Sequence, residues 1–139
     1  MQGDEPQGSA PGQTILIVED NELNLKLLKD VLDSRGYSTV VTGLGADALK
    51  LARQHLPDLI LLDIQLPDIT GTEVARRLKA DRQTHAIPII AVTAFAMSGD
   101  RERILGSGCD DYVSKPFSLR ALLALVQQHI DGTTAETAR

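Results

Sequence analysis

The sequence has a single cysteine and no apolar run that approaches the length of a membrane span. A transmembrane helix needs roughly 20 consecutive apolar residues, so no membrane-spanning segment is expected. The lone Cys109 cannot form an internal disulfide, and no secretory signal pattern opens the sequence. We therefore expect a cytoplasmic protein, in a reducing compartment, that is not stabilised by disulfides.

Basic residues are also scarce. Lysine and arginine number 14 against 19 aspartates and glutamates, which gives a formal net charge of −5. Nucleic-acid-binding domains usually carry a basic face, and the sequence contains no basic recognition helix. The three histidines do not have the spacing of metal ligands. We therefore expect no nucleic-acid partner and no histidine-based metal site.

The rest of the composition is that of one globular domain with polar ends. The chain has 139 residues, of which 42% are hydrophobic and 24% are charged, and this is enough for one buried core. Residues 1–13 (MQGDEPQGSAPGQ) and 131–139 (DGTTAETAR) carry too little apolar surface to offset the entropy of ordering. We expect a disordered leader and a disordered tail on either side of a domain at 14–130.

Strand-like apolar runs alternate with helical patterns five times within that domain. Such alternation predicts an α/β fold with a parallel sheet and helices on both faces. The predicted strands cover 14–18, 37–42, 58–63, 87–93 and 111–115, and the predicted helices cover roughly 22–35, 46–55, 71–80, 98–106 and 118–130.

The composition of the strands predicts their order in the sheet. The first, third and fourth strands are almost unbroken Val, Ile and Leu, as central strands covered on both faces must be. The second and fifth strands carry polar residues and suit the edges. With right-handed crossovers this gives a doubly wound five-stranded sheet in the order 2-1-3-4-5. Ligands bind such sheets at the carboxyl ends of the strands, near the reversal between the first and third strands.

Helix signals support the predicted boundaries. Thr70 and Glu73 have the spacing of a capping box at the start of the third helix, and Ser118 can cap the fifth. Helical periodicity in the first helix predicts a core-facing stripe of Leu27, Leu28, Val31 and Leu32.

Acidic side chains follow two of the predicted central strands. In the segment LILLDIQLP (59–67), Asp63 ends a buried strand, and Glu19 and Asp20 end the neighbouring one. Carboxylates at close range repel one another, so a converging cluster calls for a cation, and an all-oxygen set of ligands suits Mg²⁺. The alternative is three solvated loop acids that never meet.

Two more strand ends carry groups that suit phosphoryl chemistry. Thr93 ends the fourth strand and Lys115 ends the fifth. A metal ion and Lys115 would neutralise phosphoryl oxygens, and the Thr93 hydroxyl would donate a hydrogen bond to another. Asp63 would then be the nucleophile that forms an aspartyl phosphate.

Four motifs stand at these strand ends, namely VED (18–20), LLDIQLP (61–67), VTAFA (92–96) and VSKPF (113–117). In their order and separations they resemble the receiver domains of two-component response regulators, the CheY-like family. The resemblance covers roughly residues 14–130 and is greatest to single-domain regulators of the DivK type and to receivers of hybrid kinases. The lysine–proline bond is typically cis in this family, so Lys115–Pro116 is expected to be cis.

The resemblance implies a role for each acid. Asp63 would accept the phosphoryl group, and Mg²⁺, with Mn²⁺ as an alternative ion, would be bound by Glu19, Asp20, Asp63 and the backbone carbonyl of Gln65. Many members have aspartate at the position of Glu19, so its longer side chain is expected to reach the metal through water. The protein would be a signalling phosphoacceptor that catalyses its own phosphorylation and dephosphorylation, and not an enzyme with a separate substrate.

The resemblance also implies a switch and protein partners. Thr93 and Lys115 would assist phosphorylation, and Thr93 and Tyr112 would form the switch. The phosphoryl donor would be a histidine kinase or a histidine phosphotransfer protein. A downstream protein would bind the face formed by the fourth helix, fifth strand and fifth helix, with Met97, Ile104 and Tyr112 as candidate contacts. The alternatives are ordinary core packing for Ile104 and an edge-strand aromatic without a switch role for Tyr112. We expect a monomer or a weak phosphorylation-dependent dimer.

Three other interpretations start from the same residues. A haloacid-dehalogenase-like phosphohydrolase also uses an aspartate nucleophile, but it usually needs a second acid two residues later, where Gln65 stands. A flavodoxin-like cofactor binder would need a Gly/Ser/Thr-rich anion loop after the first strand, where Glu19 and Asp20 stand. The third is an interaction domain that works without phosphorylation.

Overall fold

Five strands and five helices alternate along residues 13–94 and 98–130, the part of the chain that the computed structural model describes. The strands are β1 (Thr14–Val18), β2 (Ser38–Thr42), β3 (Leu59–Asp63), β4 (Ile89–Thr93) and β5 (Asp111–Ser114). The helices are α1 (Glu22–Ser34), α2 (Gly45–His55), α3 (Gly71–Ala80), α4 (Ser98–Gly106) and α5 (Leu119–Ile130). Each element that the sequence predicts is present, with its ends displaced by two residues at most.

All strand pairs are parallel, and the sheet order is β2-β1-β3-β4-β5. The predicted topology is therefore confirmed. β1 and β3 are neighbours, with Val18 paired to Leu62, so the residues that follow them emerge side by side. On the other flank, Asp63 pairs with Val92, one residue before Thr93. The connectivity thus brings the carboxyl ends of β1, β3 and β4 to one edge.

The sheet separates two apolar clusters, because successive side chains of a strand point to opposite faces. Leu16 and Val18 of β1 face a cluster that includes side chains from α2, α3 and α4. Ile15 and Ile17 face a second cluster, built with α1 and α5. Both faces of the central strands are therefore covered, as their continuous apolar sequences predict.

The helix starts follow the predicted signals in part. The backbone N–H of Glu73 donates to Thr70 Oγ1 at 3.2 Å, so Thr70 caps α3. The Glu73 carboxylate, which the capping-box pattern would turn back toward Thr70, pairs instead with Arg76 and Arg77. Ser118 caps α5, since its hydroxyl accepts a hydrogen bond from the first turn.

The buried stripe of α1 differs from the predicted one by one position. Leu28 and Leu32 are buried, but Leu27 is 43% exposed, so its assignment to the core was wrong. Leu25 packs against the α1–α5 cluster in its place. The reason is the helical period: Leu25, Leu28 and Leu32 lie at i, i+3 and i+7 on one face, and Leu27 lies about 100° away from Leu28.

The predicted ends of the chain lie almost entirely outside the described residues. Gln13 is the exception, and its carbonyl accepts a hydrogen bond from the backbone N–H of Ser38 at 2.9 Å. Among the helices of the described residues, none combines the length and apolar character required to cross a bilayer.

Candidate functional site

Four charged side chains converge at the carboxyl edge of the sheet. One oxygen each from Glu19, Asp20 and Asp63 lies within 4.8 Å of the others. The Lys115 ammonium lies 3.3 Å from Glu19 Oε1 and 3.4 Å from Asp63 Oδ2. These residues are up to 96 positions apart in sequence, and they meet because β1, β3 and β5 are parallel and end at the same edge.

Two of the acids are buried and are oriented by backbone donors. Glu19 is 1% exposed and Asp63 is 3% exposed, whereas Asp20 is at the surface. The backbone N–H of Asn21 donates to Glu19 Oε2 at 3.1 Å. The backbone N–H of Gln65 donates to Asp63 Oδ1 at 3.0 Å. Each acid is therefore fixed by the loop that follows its strand, and Asp63 Oδ2 is left facing Lys115.

The cluster has more negative than positive charge, because three carboxylates face one ammonium. Burial first, and then the neighbouring charge of Asp63, raise the pKa of Glu19 to about 7, against the opposing effects of the Asn21 N–H and Lys115. Glu19 Oε1 is buried and accepts no hydrogen bond from the described residues, although the Lys115 ammonium lies 3.3 Å away. An all-oxygen set with an unmet buried oxygen and excess negative charge fits a hard divalent cation such as Mg²⁺.

This imbalance predicts a pH dependence of stability in magnesium-free buffer. The folded pKa of Glu19 lies above the ordinary glutamate value of 4.5, so the folded state binds more protons between pH 4.5 and about 7. The free energy of unfolding should therefore be greatest at the acidic end of this window and fall by about 3 kcal/mol as the pH rises through it. Urea unfolding at several pH values measures this change. Glu19→Gln is the control, and an equally steep fall in that variant would contradict the assignment to Glu19.

An open cavity of about 730 Å³ lies over the charged cluster. It is lined in part by Glu19, Asp20, Leu23, Asp63, Gln65 and Lys115. Gln65, predicted to offer its backbone carbonyl to a metal, therefore lies beside the predicted metal-binding acids.

Thr93 is fully buried at the end of β4, next to the cluster. Its carbonyl accepts a hydrogen bond from the backbone N–H of Lys115 at 2.7 Å, which ties the ends of β4 and β5 together. The Lys115–Pro116 bond is cis, as expected.

Tyr112 lies away from the cavity, on the α2–α3–α4 face of the sheet. It is half-buried against that cluster, and the Arg101 guanidinium of α4 lies 5.9 Å from the centre of its ring. Ile104 is fully buried in the same cluster, so the core-packing alternative is the correct one for this residue and it is not a contact of the output face. It faces the sheet because α4 has to cover this part of the core. Met97, the other predicted contact, lies outside the described residues.

The sequence did not draw attention to two residues that bear on the site, namely Asp68 in the β3–α3 loop and Gly71 at the start of α3. A Cβ on Gly71 would lie 2.4 Å from the Asp63 carbonyl oxygen and 2.6 Å from Ile64 Cα, so only glycine fits there. Asp68 accepts hydrogen bonds from the backbone N–H groups of Gly45 and Ala46, each at 2.9 Å. No signal in the sequence pointed to Asp68, since the need for an external cap appears only in the structure, where α2 begins after Leu44 and a leucine side chain cannot cap a helix.

Comparisons with known proteins agree on one family. Residues 15–127 match the model of the response regulator receiver domain. The polar-differentiation response regulator DivK of Brucella ovis is 51% identical over 118 residues, which cover 85% of this chain and 96% of that protein.

Solved structures agree with the sequence comparisons. The receiver domain of a sensor histidine kinase from Pseudomonas aeruginosa PAO1 is 39% identical with a TM-score of 0.80, and the match covers 86% of this chain and 98% of that one. Its crystal structure has a magnesium ion coordinated in the active site cleft. A CheY-like receiver domain protein from Methanospirillum hungatei JF-1 is 30% identical with a TM-score of 0.81, over 89% of this chain and 98% of that one.

Proposed function

The chain belongs to the response regulator receiver domain family, and we propose that Asp63 is the side chain that accepts a phosphoryl group from a phosphohistidine partner. One observation carries this assignment. Asp63 is a buried carboxylate with one oxygen fixed by the Gln65 N–H and the other 3.4 Å from the Lys115 ammonium, at the floor of an open cavity.

The proposed transfer needs little from the protein beyond position and charge. A carboxylate oxygen of Asp63 attacks phosphorus, the phosphorus–nitrogen bond breaks, and the electron pair leaves with the imidazole, which takes up a proton. Lys115 neutralises part of the negative charge on the phosphoryl oxygens. The hydroxyl of Thr93, at the end of the adjacent strand, donates a hydrogen bond to one of these oxygens. The same groups would act on the acyl phosphate during its hydrolysis, so the protein would catalyse both steps itself.

The proposed cofactor is Mg²⁺, with Mn²⁺ as an alternative. Glu19, Asp20, Asp63 and the backbone carbonyl of Gln65 would bind it, and their common position around the cavity supports this set. When bound, the ion supplies positive charge that reduces the repulsion between an anionic donor and the anionic acceptor. The buried Glu19 oxygen that accepts no hydrogen bond from the described residues is the group with most to gain from it.

The proposed switch couples Thr93 to Tyr112. Thr93 ends β4, and Ala91, two residues earlier, pairs with Tyr112 on β5. A phosphoryl group that draws Thr93 inward would open space toward Tyr112, whose ring is half-buried and covered by Arg101. A modification shifts such an equilibrium only through contacts that differ between the two states. The Arg101 contact is one that rotation of the ring would break.

The proposed partners bind at two places. Leu23, which is 76% exposed, lines the cavity, and Leu27 follows it one turn along α1. These exposed leucines would contact the histidine kinase or histidine phosphotransfer protein that supplies the phosphoryl group. A downstream protein would bind the α4–β5–α5 face around Tyr112. We propose a cytoplasmic monomer or a weak phosphorylation-dependent dimer.

Incubation with acetyl phosphate and magnesium tests the assignment. The wild-type protein should gain one phosphoryl group, which hydroxylamine removes because it is an acyl phosphate. Intact mass spectrometry measures the uptake, and peptide mapping after borohydride reduction locates it at Asp63. Addition of a chelator should stop the reaction. Uptake on another residue, or uptake that continues without a divalent cation, would contradict the proposal.

A haloacid-dehalogenase-like phosphohydrolase is not favoured. At the position where that chemistry needs a second acid, Gln65 contributes its backbone N–H to Asp63, and its side chain carries no ionisable group.

A further inference from the structure

Asp68 connects two segments of the chain that border the charged cluster. Its Oδ1 accepts the backbone N–H of Gly45 and its Oδ2 accepts that of Ala46, each at 2.9 Å. Helix α2 therefore takes its cap from a residue more than twenty positions later in the chain. The residue at its own N-cap, Leu44, makes no side-chain cap. The hydrogen bond from Ala46 is the largest of the effects that lower the pKa of Asp68, so this carboxylate is ionised at neutral pH.

On one side, the connection leads to Asp63 and Gln65. The loop that carries both residues runs from the end of β3 to Thr70 and is fixed at its far end, where the Gly71 N–H donates to the Ile64 carbonyl at 2.8 Å. Between these fixed points the loop has one strong polar attachment to a neighbouring element, which is Asp68. Loss of that attachment leaves the segment around Gln65 without a polar tie to α2, so that between its ends it is held by the packing of Leu66 and Ile69 against the core.

On the other side, the connection leads to Glu19 and Asp20. The first turn of α2 follows Thr42 and Gly43. The Thr42 carbonyl accepts the backbone N–H of Glu19 at 3.0 Å, and a Cβ on Gly43 would lie 3.6 Å from Asp20 Cα. The segment that leads into α2 thus lies beside the two acids that follow β1.

The contact between α2 and the loop leaves little room for adjustment. A Cβ on Gly45 would lie 2.9 Å from Val74 Cγ2 and 3.3 Å from Leu66 Cδ1. The absence of a side chain at Gly45 lets the helix start approach the loop closely enough for Asp68 to accept two backbone N–H groups. Displacement of the loop would therefore break both hydrogen bonds.

We propose that Asp68 is a positioning residue, which ties the β3–α3 loop to the first turn of α2 and so aligns Asp63 and Gln65 with Glu19 and Asp20 for a divalent cation. This inference rests on the proposed function. Residues that orient metal ligands without touching the metal typically change metal affinity roughly 10- to 100-fold when they are removed.

Calorimetric titration with magnesium chloride on the full chain tests the proposal. Asp68→Ala should raise the dissociation constant for magnesium roughly 10-fold. Asp68→Asn keeps one acceptor oxygen, so its dissociation constant should lie between those of the wild type and the alanine variant. Amide hydrogen exchange at Gly45 and Ala46 should accelerate in the alanine variant, which a change confined to the cavity would not produce.

Asp81→Ala is the matched control. Asp81 also accepts a backbone N–H, from Gln83 at 2.8 Å, and also binds α2, through Arg53, but it lies at the opposite end of α3. Its loss should lower stability and leave the magnesium dissociation constant unchanged. If the wild type binds magnesium and Asp68→Ala binds it equally well, or if Asp81→Ala weakens binding as much, the positioning role is wrong while the proposed function stands. A wild type that does not bind magnesium overturns both.

Discussion

The Asp63→Asn variant should take up no phosphoryl group. In magnesium-free buffer its free energy of unfolding should be about 1 kcal/mol higher than that of the wild type. Uptake is lost because an amide oxygen is a poor nucleophile and cannot form the acyl phosphate. Stability rises because Asp63 is a buried carboxylate beside a second one, Glu19, and both share one ammonium. The substitution removes a desolvation cost and a repulsion, and Lys115 keeps its contact with Glu19.

The sign of this stability difference should reverse in magnesium. A ligand at a free concentration about 100 times its dissociation constant stabilises the folded state by about 2.7 kcal/mol, and the wild-type site has the greater affinity for the ion. The wild type should therefore become the more stable protein in saturating magnesium. Urea unfolding with and without the ion measures both differences.

Asp30→Asn serves as the control for position 63. Asp30 makes an exposed ion pair with Lys26 on α1, so its neutralisation should change neither phosphoryl uptake nor the magnesium response. An asparagine variant at 63 that is less stable than the wild type without magnesium would show that attraction to Lys115 outweighs the repulsion from Glu19.

The Gly71→Ala substitution should lower the free energy of unfolding by about 2 to 3 kcal/mol, even though alanine favours helices more than glycine does. The added Cβ would lie 2.4 Å from the Asp63 carbonyl oxygen and 2.6 Å from Ile64 Cα. Both are backbone atoms, so they cannot move aside as a flexible side chain does, and the start of α3 has to shift away from β3. Because this shift displaces the Asp63 backbone, the rate of phosphorylation should fall as well.

Gly106→Ala is the matched substitution on α4. A Cβ there meets nothing within 4 Å, so the same change should be neutral or raise the free energy of unfolding by up to about 1 kcal/mol. Chemical unfolding of the two variants measures the contrast directly. If Gly71→Ala leaves the free energy of unfolding as high as Gly106→Ala does, then helix α3 can move away from Asp63 at no cost.

The sequence predicts the fold and the convergence of the strand-end residues for the same reason. Continuous apolar runs identify β1, β3 and β4 as central strands, and right-handed crossovers then leave one simple order. In that order, the residues after β1 and β3 have to emerge together, so Glu19, Asp20 and Asp63 could be grouped without coordinates. Lys115 joins them because every strand of the sheet is parallel.

What the sequence could not provide is the distance between segments that are remote along the chain. Asp68 follows a proline in a loop, so in the sequence it has the appearance of an ordinary turn residue. The two backbone N–H groups that donate to it belong to α2, more than twenty residues earlier in the sequence. Gly71 similarly precedes an ordinary helical pattern, and only the approach of α3 to Asp63 excludes a side chain. Leu27 was misassigned, and the choice between core and surface for Ile104 stayed open, because apolar character alone does not determine the rotational phase of a short helix.

The division of the apolar interior by the sheet has a consequence for how the protein can diverge. Leu28 and Leu122 belong to the apolar cluster on the α1 and α5 side of the sheet, and Tyr112 contacts the cluster on the other side. Substitutions far enough apart to share no neighbours have nearly additive effects. The flank that carries α1 can therefore accumulate changes in partner recognition over evolutionary time while the surroundings of Tyr112 stay as they are.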